Sequence, residues 1–415
     1  MESRRVVITG MAPITPIGCG VEDFSKNMFD GKNGITKIDC IDTTGLKTKI
    51  AGQVHGFDKY TELVNPLEML RMDRGTQFTT VGSVMAINDA NINLDKEDKN
   101  RIEVVCGAST GAIHTLEKNM NIMNTEGPGE IDNCFIPMIM GNIMAAQIAI
   151  QHGITGKAKG VLTACATGND CIGEAYNDIK NGVFDMASAG STDSSISPIV
   201  IAGFQKLRVV NTRFNDDPEH ASRPFDKKRC GFVIGEGCGI LFIEELEHAL
   251  KRGAKIYAEI VGYASTTDAF SIAAPRSDGR EIERCMINAI KSAGISPEYI
   301  QYMNAHGTGT KLNDEIETAV AKRIWEDKVK YLSISSTKSM TGHTLSASGA
   351  VECIATALAI QNDIVPPTIN QFEKDEACDL DYTPNTKRER VIDYAISNSV
   401  GFGGHNASIV LKKYK

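Results

Sequence analysis

The sequence predicts an α/β protein, and three observations predict it. Short apolar runs recur along the chain, separated by segments of helical periodicity. Several of these runs stop at glycine-rich turns. One of them, Val161-Leu162-Thr163-Ala164-Cys165, breaks at a thiol and continues into a helical pattern. Buried strands separated by helices imply a mostly parallel sheet with helices on both faces.

Taken in order, a buried strand is expected over residues 6–10 and a second over 102–106, the latter ending in Gly107-Ala108-Ser109-Thr110-Gly111-Ala112. A third, over 160–164, leads into a helix from about Asn169 to Lys180. Strands over 184–189 and 239–244 and a helical stretch over 245–252 follow. The pattern restarts with a strand over 256–264, a helix near 278–293, a strand at 302–305 and a helical pattern over 314–324. A strand over 331–336, a loop over 338–343 and a small-residue helix over 346–361 echo the segment around Cys165. We read this as a degenerate duplication, with an N-terminal half over 1–254 that carries the thiol and a C-terminal half over 255–415. No flexible linker separates the halves, so they are expected to form one unit with strand ends converging on one cleft.

Composition narrows the function classes. With 415 residues and 42% hydrophobic content the chain has enough apolar material for a large core. No apolar run reaches the ~18 residues of a membrane span, and the early strand speaks against a targeting peptide. Eleven cysteines without paired spacing point to a reducing, cytoplasmic setting rather than a disulfide framework. A net charge of −8 disfavours nucleic acid as a general partner.

Three residues carry the chemistry. A cysteine where a strand hands over to a helix N-terminus faces backbone N–H groups and the positive dipole end, both favouring thiolate. Two histidines lie in glycine-flanked turns, Asn304-Ala305-His306-Gly307-Thr308-Gly309-Thr310 and Lys338-Ser339-Met340-Thr341-Gly342-His343. One thiol and two imidazoles suggest covalent catalysis on an acyl group. The other cysteines, and His55, His114, His152, His220 and His248, read as structural. His306 and His343 lack the close spacing of zinc ligands, and Cys165 with Cys171 makes no C-x-x-C pair, so no metal site is expected.

These residues carry a resemblance. Along almost its full length the chain resembles β-ketoacyl-acyl-carrier-protein synthases of the second type and the ketosynthase subunits of type II polyketide systems. Besides the three motifs above, Ala221-Ser222-Arg223-Pro224-Phe225-Asp226, residues 231–239, Val365-Pro366-Pro367-Thr368-Ile369-Asn370 and Asn398-Ser399-Val400-Gly401-Phe402-Gly403-Gly404 match in the family's order. The resemblance implies a thiolase-like fold of five αβαβα layers, in an obligate dimer whose acyl pockets are partly lined across the interface.

It also implies roles. Cys165 would hold the growing chain as a thioester, while His306 and His343 donate to the enolate formed when malonyl thioester loses CO2. The backbone N–H groups of Cys165 and Phe402 would form the oxyanion hole, with Gly401, Gly403 and Gly404 letting Phe402 swing as a gate. Lys338 would act near the histidines, paired with Glu352. Thr308 and Thr310 match residues that bind the phosphopantetheine arm, although they equally suit the cap of the following helix. Thr110 matches a position limiting pocket depth. No cofactor is implied beyond that arm, which an acyl carrier protein brings. Its docking face lacks the usual basic pair before Phe135, where the chain reads Gly127-Pro128-Gly129-Glu130, so Arg71, Arg74, Lys206 and Arg208 are the docking candidates. His405 stands where fatty-acid synthases usually carry Thr, either lining the cleft or packing beside it.

The expected activity is therefore an acyltransferase, a β-ketoacyl synthase performing decarboxylative condensation. Residues 215–226 and Asn313-Asp314 with Glu317-Thr318 lean the reading toward polyketide assembly, with fatty-acid elongation as the alternative. A chain-length subunit of a polyketide pair typically lacks the nucleophile, so Cys165 favours the catalytic reading over that binding role. A thiolase would need a second catalytic cysteine near the C-terminus, and the last one is Cys378. The partner is either a second identical chain or a chain-length subunit.

Overall fold

In the computed structural model, which describes residues 4–415, ten strands form the body. They are β1 (Val6–Thr15), β2 (Ile102–Gly107), β3 (Ala158–Lys159), β4 (Met186–Asp193), β5 (Gly237–Glu245), β6 (Ala258–Thr267), β7 (Tyr302–Asn304), β8 (Ser333–Ser335), β9 (Tyr394–Gly401) and β10 (His405–Lys412). Their hydrogen-bonded order is β8-β7-β9-β10-β6-β1-β5-β4-β2-β3. Counted outward from the β1–β6 join, each half therefore runs first, fifth, fourth, second, third. The order repeats, as the echo around Cys165 led us to expect.

Six helices complete the layers: α1 (Arg74–Asp89), α2 (Ile143–His152), α3 (Thr167–Lys180), α4 (Arg280–Ser292), α5 (Lys311–Trp325) and α6 (Ser348–Asn362). Helices α1 and α2 cover the outer face of the β1–β5 half of the sheet, α4 covers that of the β6–β10 half with α5 beside it, and α3 and α6 lie between the two halves. This is the αβαβα thiolase-like stack. Three apolar clusters fill it, one around α3 and α6 and one under each outer pair. Helix α6 is buried from Ser348 through Ile360 on every side. Its sequence of alanines and other small residues suits a helix enclosed all round rather than one with a polar face. The central helices approach so closely that a Cβ on Gly168 would fall 2.3 Å from the backbone N of Ala350.

Three expectations need correction. The sheet is mixed: β2 is parallel to β3 and β4, and β7 to β8 and β9, but every pairing through β1, β5, β6 and β10 is antiparallel. Hydrophobic runs report burial on both faces and not strand direction. The strand expected over 160–164 stops pairing at Lys159. The chain must turn there, because Ala164 adopts a left-handed φ of 51° before a 3-10 turn (Ala164–Ala166) enters α3. The second half repeats this corner at Leu345, φ 50°, before the 3-10 turn Leu345–Ala347 and α6. The loop expected over 338–343 contains one helical turn, Lys338–Thr341.

Candidate active site

Loops leaving the carboxyl ends of the parallel strands of both halves meet at one cavity of about 410 Å3. Thr110 arrives after β2, Cys165 after β3, His306 after β7, His343 after β8 and Phe402 after β9, and all five line it. Thr308, Thr310 and Gly401 line it as well. Sequence reasoning missed the apolar frame, Phe204, Phe232 and the 273–275 loop.

Burial dominates the ionisation of Cys165. The side chain is 9% exposed, and desolvation pushes the thiol up to about 12. The charge of Lys338 and the N–H groups of Phe402 and Cys165 itself pull it back only in part, and the charge of Asp193 adds to the rise. The resting group is thus a thiol at neutral pH, which corrects the thiolate expected from its position. Gly401 permits the close approach of the Phe402 turn, since a Cβ there would lie 2.8 Å from the Thr163 carbonyl oxygen and 3.1 Å from the Cys165 nitrogen.

The two imidazoles stand edge to face with ring centroids 5.2 Å apart. Phe232 continues the row against His343 at 5.2 Å, Phe204 follows at 5.3 Å, and Phe402 lies 6.3 Å beyond. Desolvation first, and then the charge of Lys338, hold both histidines well below the usual imidazole range, so both are neutral. His343 Nδ1 meets the Ser348 hydroxyl at 3.0 Å. His306 Nδ1 is buried without a partner. Its backbone is fixed instead, because Glu317 accepts from the N–H groups of His306 (2.8 Å) and Gly307 (2.6 Å).

Lys338 and Glu352 lie behind the cavity, 1% and 2% exposed at the side chain, with Nζ donating to Oε1 at 2.5 Å. Burial raises the Glu352 carboxyl to about 7 against the opposing pull of Lys338. Thr310 occupies the N-cap position of α5 without a side-chain cap bond. Its hydroxyl meets that of Thr308 at 2.9 Å. Gly403 and Gly404 sit at φ 83° and 79° in the turn after Phe402. His405 packs beside that turn, within 3.1 Å of where a Gly403 Cβ would stand, and does not line the cavity.

The docking candidates divide. Arg74 is committed to Glu236, donating to both carboxylate oxygens (2.8 and 2.6 Å) and to the Val54 carbonyl. It is a clamp on the fold, so that expectation falls. Arg71 is exposed and pairs with Glu68 at 3.2 Å. Lys206 and Arg208 are exposed and flank Leu207, which lines the cavity. Among the described residues no group of three or more His, Cys, Asp or Glu side chains is arranged to hold a metal ion.

Residues 3–249 match the β-ketoacyl synthase N-terminal domain and residues 257–372 the β-ketoacyl synthase C-terminal domain. The chain belongs to the β-ketoacyl synthase family. This synthase is 44% identical over 415 residues to the 3-oxoacyl-[acyl-carrier-protein] synthase 2 of Synechocystis sp., covering 100% of this chain and 99% of that protein. It is 43% identical over 414 residues to the Staphylococcus aureus protein of the same name, with 100% and 99% coverage. Among solved structures it is similar to a type II polyketide ketosynthase in complex with its acyl-carrier protein and bound to a hexaketide (TM-score 0.92, 34% identity, all of both chains covered). It is also similar to the ishigamide ketosynthase/chain length factor (TM-score 0.92, 33% identity, all of both chains covered).

Proposed function

We propose that this β-ketoacyl synthase is an acyltransferase that condenses a malonyl thioester with an acyl chain held on Cys165, both delivered on the phosphopantetheine arm of an acyl carrier protein. One observation carries the reading: a thiol, two neutral imidazoles and two backbone N–H groups aimed at the sulfur share one cavity.

Cys165 attacks the incoming thioester. Its C–S bond forms, the bond to the pantetheine sulfur breaks, and the cysteine proton ends on that sulfur. The malonyl carboxylate then leaves as CO2, and its bonding pair becomes an enolate. The oxygen of this enolate takes N–H bonds from His306 and His343. Neutral imidazoles suit this, since each keeps one N–H to give. When Ser348 donates to Nδ1 of His343, the ring proton resides on Nε2. The enolate carbon attacks the acyl carbon and expels the Cys165 sulfur, which recovers a proton from water. The N–H groups of Cys165 and Phe402 serve the tetrahedral oxyanion, and Phe402 gates the nucleophile. Lys338, paired with Glu352, adds its charge to the burial that keeps the imidazoles neutral. Thr308 and Thr310 serve the pantetheine arm. The reading invokes no resident metal or organic cofactor.

Polyketide assembly draws support from the solved ketosynthases above. Elongation in fatty-acid synthesis is favoured by a specific observation, the higher identity of 44% to a full-length synthase 2. The carrier would dock on Arg71, Lys206 and Arg208, and the synthase would act as a homodimer or with a chain-length subunit. Eleven free cysteines support a cytoplasmic setting.

The test is intact-protein mass spectrometry after incubation with acyl carriers and malonyl carrier. An acyl adduct localised to Cys165, followed by β-ketoacyl product on the carrier, is expected. Undiminished product from Cys165→Ala would overturn the reading, and the product's length and fate separate the two pathways.

A further inference from the structure

One buried carboxylate beside the cavity has no part in the chemistry above. Asp193 ends β4, is 1% exposed, and has no cationic partner among the described residues. Hydroxyl groups surround it instead. Oδ2 accepts from Ser109 Oγ and, at 2.7 Å, shares the Ser346 Oγ proton with the Thr192 carbonyl at 2.6 Å, while Oδ1 accepts from Ser195 Oγ and, at 3.2 Å, from Thr110 Oγ1. The Thr110 and Ser195 hydroxyls also meet each other, so of their two protons one bridges the pair and one points at Asp193. The Ser109 N–H donates to Ser346 Oγ at 2.9 Å. Ser109 and Thr110 form part of the cavity wall.

We propose that Asp193 is a positioning residue that latches the rotamer of Thr110, so that acyl-chain length is limited by this hydrogen bond and not by the bulk of the side chain. The proposal deepens the condensation reading and rests on it. A threonine has three staggered χ1 wells, and rotation exchanges its methyl and hydroxyl positions. With the hydroxyl held by Asp193 and Ser195, only one placement of the methyl is open to it. Leaving that well would break the half-buried Thr110 hydroxyl away from Ser195 and Asp193 together, which is unfavourable. The latch joins the loop after β2, the end of β4 and the corner before α6, so the wall cannot yield to a longer chain by local motion alone.

The experiment compares Thr110→Val, which keeps the shape and loses the hydroxyl, with Thr110→Ser, which keeps the hydroxyl and loses a methyl. Asp193→Asn is the third variant, with thermal unfolding recorded for each. An equimolar ladder of saturated acyl carriers is offered, and the acyl adduct on Cys165 is read by mass spectrometry. Thr110→Val and Asp193→Asn are expected to raise the ratio of long to short adducts by about 10- to 150-fold, the factor associated with one hydrogen bond to a charged group. Thr110→Ser is expected to keep the length limit of the unaltered protein. A Thr110→Ser shift as large as that of Thr110→Val, or no shift in Thr110→Val, would overturn the latch, and this pair decides even where Asp193→Asn fails to fold. Absence of any adduct in the unaltered protein sinks the condensation reading, and the latch with it.

Discussion

The neutral state of Cys165 has a measurable signature in its reaction with a small disulfide reagent. A thiol pushed up to about 12 is ionised to only about one part in 10^4 at pH 8, against about one in ten for an ordinary thiol at 9.0. Thiolate population alone would therefore slow exchange about 1000-fold. A more basic thiolate is intrinsically more nucleophilic, and a Brønsted slope near 0.45 over three units returns about 20-fold. The net expectation is exchange about 50-fold slower than for a free cysteine. The logarithm of its rate should rise linearly with pH from 7 to 10 without a plateau. Lys338→Met should slow it further, because the ammonium is the strongest influence opposing the rise. Peptide-resolved mass spectrometry separates this residue from exposed Cys40. A plateau below pH 8, or faster exchange in Lys338→Met, would refute the assignment of burial as the dominant force.

Three further outcomes follow from residues outside the catalytic group. Arg74→Ala leaves the Glu236 carboxylate, 4% exposed at the side chain, without its partner, and should lower unfolding free energy in denaturant by about 3 kcal/mol. Charge reversal at Arg208 should instead raise the KM for carrier without that loss. His152, bonded through Nε2 to the Ser83 hydroxyl at 2.8 Å, is held down to about 4 by burial. Between pH 4 and 6.5 the unfolded chain then binds the extra proton, so stability should fall by up to about 3 kcal/mol as pH drops through that window. The slope should flatten in His152→Gln, as followed by thermal unfolding at stepped pH.

Much of this was legible before any coordinates. The apolar runs located β2, β4, β5 and β6 to within a few residues, because burial on both faces leaves a continuous signature. Cys165, His306 and His343 stood out through the turns that carry them, and these turns do converge. Strand direction was not legible, since the pattern of β5 or β10 is the same whichever way it points. Nor was the ionisation of Cys165, which depends first on how deeply neighbours from both halves enclose it. The commitment of Arg74 depends on Glu236, 162 residues away. Glu317, which fixes the His306 backbone, was singled out only as part of a stretch, and Ser348 and Asp193 carried no local signal. Each acts through a partner brought close only by folding.

The left-handed corner at Leu345 has an implication for how the two halves divide their labour. Where the first half mounts a reactive sulfur just beyond Ala164, the second mounts the Ser346 hydroxyl, turned inward to Asp193, while Leu345 itself faces the chamber. The chemically silent twin has thereby become part of the container's floor. Any alteration that relaxes it would change the room available to a chain attached on the opposite side, without touching a single atom that reacts.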